Sequence, residues 1–530
     1  MRTLAELSSA AAEALVRVRA REDILEAQIV VSANVHNVIR FNFTSRIPCN
    51  GVEEVKSKED FGIGVTAVFR MPDGSTKVGS GSEANNITVD GLNIALQKAL
   101  EGAVDDPEFV SLPRPLEGVE RVLVNYHDPR MLELSNKGFI DSGWKILDGV
   151  VAEFSASEAL KKFAAGLGKE PHELRLVAGG DLNIICERFA IVSTSMPEVQ
   201  TDESTVSTSQ ITSMVEDFNA KGTGYGSYTS LESFSDAAGR KSAGNAVLAC
   251  GVHREDAVEP PMRLASGRYT VIFGPQAISD ILNNLVAPSL TASAFYHEDT
   301  PFLGKMRQIV ASRELNIYDD ATDRTQVGAK GITCEGLPTR RVDLIKEGRL
   351  VGLLSNWYET MRLLHKDEKA AEKLGVKPEE LFKEGGLLPS SGFRFGGRGG
   401  GRGYDTTPGI SGTNIFIKGT NPAPLSEMIA GIRMGIYIGR IWYCYPMASL
   451  AAADFTATVI GDSFVIKDGK LFAPLRANVA RLNDNVTRVL NSIEAVSDSS
   501  EAIVLWAADE IPVAADMLVT GVRVDEIGES

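Results

Sequence analysis

The segment Val342-Asp343-Leu344-Ile345-Lys346-Glu347-Gly348-Arg349-Leu350 sets two short apolar runs on either side of Glu347-Gly348. Glycine accepts the positive φ that a tight reversal needs, so this spacing predicts a β-hairpin. The same order of residue types returns in Val465-Ile466-Lys467-Asp468-Gly469-Lys470-Leu471, with Asp-Gly at the turn. A chain that places such hairpins late in its length is committed to sheet there. On turn chemistry alone, the hairpins are scaffold and carry no reaction.

Earlier segments mix the two periodicities. Leu4 to Val18 has the spacing of an amphipathic helix, and Ile29, Val31, Ala33 and Val35 alternate as in a half-buried strand. Phe61 to Arg70 is a second strand run, turned at Pro72-Asp73-Gly74 toward Val78. A helix capped near Thr88 comes next, with Leu92, Leu96 and Leu100 as its apolar stripe. Leu182 to Thr194 and Val206 to Phe218 are strand-like, and the alternating Ser and Thr of the second suit an exposed sheet surface. Gly222 to Gly226 is read as a flexible bend, because the dinucleotide spacing G-x-G-x-x-G is not met. Ser235 to Leu248 is helical, and Glu259-Pro260-Pro261 marks a boundary. Beyond it come a strand at Val271-Ile272-Phe273, a helix from Ala277 through Leu285, and a late helix over Ser426 to Tyr437 with Ile429 and Ile432 inward. The expected fold class is α+β: an N-terminal strand-helix domain over residues 1–262, with a middle region from about 118, and a C-terminal domain over 263–530 built on a curved, barrel-like sheet with helices.

Composition removes several function classes. The chain has 530 residues, 43% of them hydrophobic, with a formal net charge of −16. That charge disfavours unspecific binding to nucleic acid or anionic membrane, where clustered Lys and Arg are rewarded. No apolar run approaches the roughly 20 residues that span a bilayer. Five scattered cysteines without a C-x-x-C pair suit a reducing compartment, and the expected location is the cytoplasm. His172-Glu173 and His297-Glu298 lack a second histidine at zinc-protease spacing, and Pro301 would interrupt a ligand helix after the latter. Asp319-Asp320 is read as solvated surface.

The run Cys334-Glu335-Gly336-Leu337-Pro338-Thr339-Arg340-Arg341 nearly repeats an E-G-x-P-T-R-R motif, and with it the chain resembles the TldD/PmbA family of peptide-processing proteins. Gly62-Ile63-Gly64-Val65, the glycine turn at Gly222 to Ser227 and the hairpins at Gly348 and Asp468-Gly469 extend the resemblance over about residues 20 to 525. TldD-type members have an H-E-x-x-x-H zinc motif after the strand that opens the C-terminal domain, and a cysteine near the C-terminus. Here the matching segment, Val271 to Asp280, has neither His nor Cys, and Glu501 to Trp506 stands where the cysteine would be. The resemblance therefore implies a PmbA-type (TldE-type) chain that holds no metal and no cofactor of its own, the zinc belonging to a TldD-type partner.

The resemblance also implies a non-catalytic subunit, with no catalytic residue of its own, that joins a TldD-type metallopeptidase as a heterodimer and holds unfolded peptides. Arg340, Arg341, Arg398 and Arg402 are the candidates for binding peptide carboxylates or partner acids. The bland reading of each is a surface charge or a hairpin salt bridge. Two alternatives stay open. One is a self-sufficient homodimeric peptidase with an unrecognised site. The other is a nucleic-acid-binding regulator acting through Arg398-Gly399-Gly400-Gly401-Arg402-Gly403-Tyr404, a reading that the acidic charge opposes. Glycine density from Ser390 to Gly412 predicts a mobile loop, cut first by trypsin after Arg398 or Arg402.

Overall fold

The computed structural model describes residues 1–47, 51–254, 257–393, 401–405, 407–505, 508 and 510–528. It is an α+β protein built on two large sheets. The first contains β1 (Ile24–Thr44), β2 (Gly51–Val52), β3 (Lys56–Arg70), β4 (Thr76–Ala84), β5 (Leu176–Ser193), β6 (Gln200–Val215) and β7 (Ala220–Ser227). Its order is β4-β3-β1-β5-β6-β7, with β2 attached to β1, and its pairings are antiparallel.

Alternation along β1 divides this sheet into two working faces. Ala27, Ile29, Val31 and Ala33 are fully buried beneath α1 (Leu4–Arg19) and α2 (Val89–Glu101). Thr3 and Glu6 start α1 with a reciprocal capping box, each bonding the other's backbone N–H. In α2 the buried stripe is Leu92, Ala95, Leu96 and Ala99, whereas Leu100 is 37% exposed. Steps of four drift around a 3.6-residue helix, so the expected Leu92-Leu96-Leu100 row leaves the interface at its third member. Farther along the sheet the same face is covered by α3 (Asn136–Ala156), with α4 (Glu158–Gly166) behind it, and by α5 (Ala237–Cys250).

The other face carries Gln28, Val30, Ser32 and Asn34 and meets the C-terminal half of the chain. Gln28 donates to the Glu335 carbonyl at 3.1 Å, and Val30 joins a cluster with Phe189, Ile332, Cys334 and Phe393. Cover on both faces, α5 on one and the C-terminal half on the other, overturns the exposed reading of β6. Ser204, Ser207, Ser209 and Ser213 are buried, Ser213 Oγ against Ser242 Oγ of α5 and Ser204 Oγ against Lys330. The Gly222 to Gly226 segment is strand β7 and not a bend. A Cβ on Gly222 or Gly224 would lie 2.2 Å or 1.9 Å from the α5 backbone, so these glycines admit the helix.

A small ribbon, β8 (Val252–Arg254) with β9 (Ala257–Glu259), leads to the second sheet. Its strands are β10 (Gly267–Phe273), β11 (Leu315–Asp320), β12 (Arg341–Lys346) and β13 (Arg349–Leu350), then, after the small pair β14 (Gly392–Phe393) and β15 (Gly409–Ile410), β16 (Asn414–Gly419) and β17 (Met434–Pro446). The series ends with β18 (Asp454–Lys467), β19 (Lys470–Pro474), β20 (Ala480–Asn485), β21 (Ile493–Ala502) and β22 (Ile511–Glu526). Because β10 pairs with both β17 and β22, the path β10-β17-β18-β20-β22 closes on itself as a barrel. Both expected hairpins form, with φ of 47° and 72° at Glu347-Gly348 and 50° and 73° at Asp468-Gly469. The late helix is shorter than its spacing suggests. It ends at Ala430, and Met434-Gly435-Ile436-Tyr437 opens β17, where Ile436 pairs with Val271 of β10. Barrel closure outweighs the helical spacing of Ile429 and Ile432. Among the described residues no helix is long and apolar enough to cross a membrane.

Candidate functional site

Strand β10 delivers the chain to Gly274 and then to α6 (Pro275–Ile281), whose proline sits in the first turn where no helical N–H partner is lost. Gln276 is 5% exposed and fully engaged by its surroundings. Its Oε1 accepts from the Ile441 backbone N–H at 3.0 Å, and its Nε2 donates to Asp280 Oδ2 at 2.6 Å. Asn284 donates to Asp280 Oδ1 at 3.3 Å. Burial pushes the Asp280 carboxyl up to about 6. These groups line a cavity of about 570 Å³ with Arg440, Cys444, Val504 and Leu505. Among the described residues its carboxyl and thiol donors are Asp280 and Cys444, and burial also pushes the Cys444 thiol up. Among the described residues no three His, Cys, Asp or Glu side chains gather as metal ligands would.

The Glu335 motif lies at the contact between the two sheets. Gly336, at φ 77°, reverses the chain, while Glu335 N and Leu337 N both donate to Thr333 Oγ1 at 3.2 Å. Glu335 is 4% exposed, and its two carboxyl oxygens share one donor, the Trp357 backbone N–H, at 2.9 Å and 3.0 Å. Burial, opposed only by that hydrogen bond, pushes its carboxyl up to about 8. Glu335 borders a cleft of about 670 Å³ between the β1-β3-β4 face and the α9 helix (Trp357–His365); the helical pieces between α6 and α9 are a π turn (Leu282–Val286) and the short helices α7 (Ala287–Ser289) and α8 (Ala292–Tyr296).

The three candidate arginines among the described residues are not gathered into one site. Arg341 is exposed, pairs with Asp343 at 2.9 Å and lies 3.6 Å over the Tyr318 ring, a hairpin salt bridge with a stacking partner. Arg340 is half-buried and donates to the Arg341 carbonyl at 3.3 Å. Arg398 lies outside the described residues. Arg402 departs most from its expected place in a mobile tract, for it is fully buried between the sheets. Its guanidinium meets Glu187 at 2.7 Å and Asp202 at 2.8 Å, its backbone N–H donates to Glu187 at 2.7 Å, and its carbonyl accepts from Asn34 at 3.1 Å. Lys330, also buried, reaches Glu187 at 3.1 Å, and Arg121 reaches Asp202 at 2.6 Å. Burial alone would raise the Glu187 carboxyl, but Arg402 and Lys330 reverse this and hold it at about 2. Arg402 is therefore withdrawn from trypsin and from any nucleic-acid strand.

Sequence reasoning does not pick out Glu187, Asp202 and Lys330, since each reads alone as one more charge in a charged chain. Asp319, expected at the solvated surface, is instead 1% exposed, accepting from Thr413 N at 2.7 Å and Thr413 Oγ1 at 3.0 Å. Burial pushes its carboxyl up to about 7.

A two-sheet α+β chain with a closed C-terminal barrel and a buried polar seam has known counterparts. Residues 266–527 match the family described as PmbA/TldA metallopeptidase C-terminal domain. The chain belongs to the TldD/PmbA family, and is a metallopeptidase-related protein. A metalloprotease of Synechocystis sp. is 27% identical over 230 residues, 42% of each chain. A metalloprotease TldD homolog of Haemophilus influenzae is 23% identical over 236 residues, 44% of this chain and 42% of that one. This chain thus matches less than half the length of those relatives. TldE from Thermococcus kodakarensis has the same fold, with a TM-score of 0.70 at 15% identity over 94% of this chain and 97% of that one.

A family of metallopeptidases implies zinc, and the α6 cavity does not suit it. Catalytic zinc takes about three protein ligands and an open position. Asp280 and Cys444 are two, burial favours the protonated form of both, and Gln276 is tied to the Ile441 backbone.

Proposed function

We propose that this chain is a PmbA/TldE-type subunit, with residues 1–262 and 263–530 as its two parts. It assembles with a TldD-type zinc metallopeptidase in the cytoplasm and holds unfolded peptides for cleavage at the partner's metal, without catalysing the reaction itself. The observation that supports this reading is the α6 segment. Its position after the strand that opens the C-terminal domain is kept, while Gln276 and Asp280 are bonded to each other and to the barrel. A fold retained around a donor set unsuited to zinc is explained by assembly or substrate holding. Extended peptide can be held by main-chain hydrogen bonds at a sheet edge, which is tolerant of sequence.

Metal content tests the non-catalytic part of the proposal. After removal of any affinity tag, the purified chain is expected to hold far less than one zinc per chain by elemental analysis. About one zinc per chain, resistant to dialysis, would overturn it.

A further inference from the structure

The cleft beside Glu335 lies apart from the α6 cavity, and its chemistry is one-sided. Four carboxyl groups border it, Asp106, Glu335, Glu359 and Glu510, and no Lys, Arg or His does so among the described residues. Phe109, Leu112 and Trp357 give it apolar walls. The β1-β3-β4 face contributes neutral groups, Gln28, Thr66 and Ser80, with Thr66 Oγ1 2.9 Å from Ser80 Oγ.

These carboxyls are not equivalent. Asp106 accepts from the backbone N–H groups of Glu108 and Phe109 at 3.0 Å and 3.1 Å, and from the Tyr358 hydroxyl at 3.2 Å. Glu359 is paired with Arg362, which also binds Glu108 at 2.8 Å. Glu510 stands near Ser411 Oγ at 3.5 Å. Lys98, in the adjoining cavity past Thr66, is paired with Glu83 at 2.7 Å. Glu335 has the fewest donors for its burial. A carboxylate offers about four lone-pair sites, and its two oxygens share one backbone N–H.

We propose that this cleft is a binding site for a primary ammonium group carried on an apolar body, with Glu335 as the anionic partner. The proposal does not depend on the peptide-holding function. On binding, the Glu335 O–H bond breaks, the proton leaves to solvent, and the carboxylate so formed accepts from the ligand's N–H groups. Burial, which keeps the free carboxyl protonated up to about pH 8, makes that proton release measurable at neutral pH.

Calorimetric titration of the full chain with phenethylamine is the test, because this amine stays charged well above pH 8. Affinity should rise by up to about tenfold per pH unit below pH 8 and then level, with close to one proton released per ligand at pH 7. N-acetylphenethylamine, which has no charge, should bind at least about tenfold more weakly. Glu335→Gln keeps the shape of the protonated group and should retain the melting temperature while losing both amine binding and proton release. Ser293→Trp, which narrows the cleft without touching the carboxyl, should weaken binding too. Comparison of spermidine with phenylalanyl-alanine amide separates a polyamine source from a peptide N-terminus, and preference for either supports the ammonium class. Equal binding of the acetylated probe, unchanged binding by Glu335→Gln, or no binding of any amine at millimolar concentration would overturn the proposal.

Discussion

Arg402→Ala is expected to destabilise the folded chain by about 3–5 kcal/mol, the range for breaking a buried ion pair by removing one partner. The cost arises in what is left behind. Glu187 and Asp202 are 0% and 4% exposed, and both lose a guanidinium at hydrogen-bonding distance. Lys330 and Arg121 remain, one on each carboxylate, so the loss is large but not the full charge-burial penalty. Because these groups lie between the two sheets, chemical denaturation should show the N-terminal sheet unfolding earlier than the barrel. Adding Glu187→Gln and Asp202→Asn should not recover the loss, since Lys330 and Arg121 would then be left without their carboxylate partners. Acid weakens the same cluster. Glu187 is held at about 2 against an ordinary 4.5, so its contribution is complete above about pH 5 and is lost as pH falls toward 2. Glu187→Gln should flatten that acid limb.

Gly64→Val is the second large effect, about 3 kcal/mol or more by overpacking. Gly62 and Gly64 lie on the β3 face that pairs across to Ser32 and Val30, where the 401–405 segment crosses the sheet. A Cβ at Gly64 would lie 1.8 Å from the Tyr404 carbonyl oxygen, and one at Gly62 would lie 2.5 Å from the Tyr404 ring. Backbone cannot yield as a flexible side chain does, so Tyr404 and the neighbouring Arg402 would be displaced together. Limited trypsin digestion reads this out: Arg402 should resist cleavage in the natural chain and become a cut site in Gly64→Val. Resistance retained in the variant would show that the segment is seated by something other than the glycine face.

Local patterns are legible in the sequence where one layer decides them. Ile29, Val31 and Ala33 alternate because α1 and α2 cover one side of β1, and the glycine turns at 348 and 469 dictate their own hairpins. The hidden features depend on residues hundreds of positions away. The Ser and Thr of β6 look solvated until α5 arrives on one face and Lys330 with the Arg402 segment on the other. Arg402 itself sits in a glycine tract that reads as loose chain, yet Gly401 and Gly403 flank a residue aimed into the interface. Ile429 and Ile432 keep helical spacing right up to a strand whose existence depends on barrel closure with β10. At the site, the Glu335 motif is visible as a motif, but its burial beneath Trp357 is not.

Peptide cleavage, with and without a TldD-type partner, tests the central claim most directly. An unstructured peptide should survive incubation with this chain alone, be cleaved when the partner is added and co-elutes with it, and survive again when a chelator removes zinc from the mixture. Robust cleavage by this chain alone, undiminished by chelator, would contradict the account and show that it has a non-metal active site of its own.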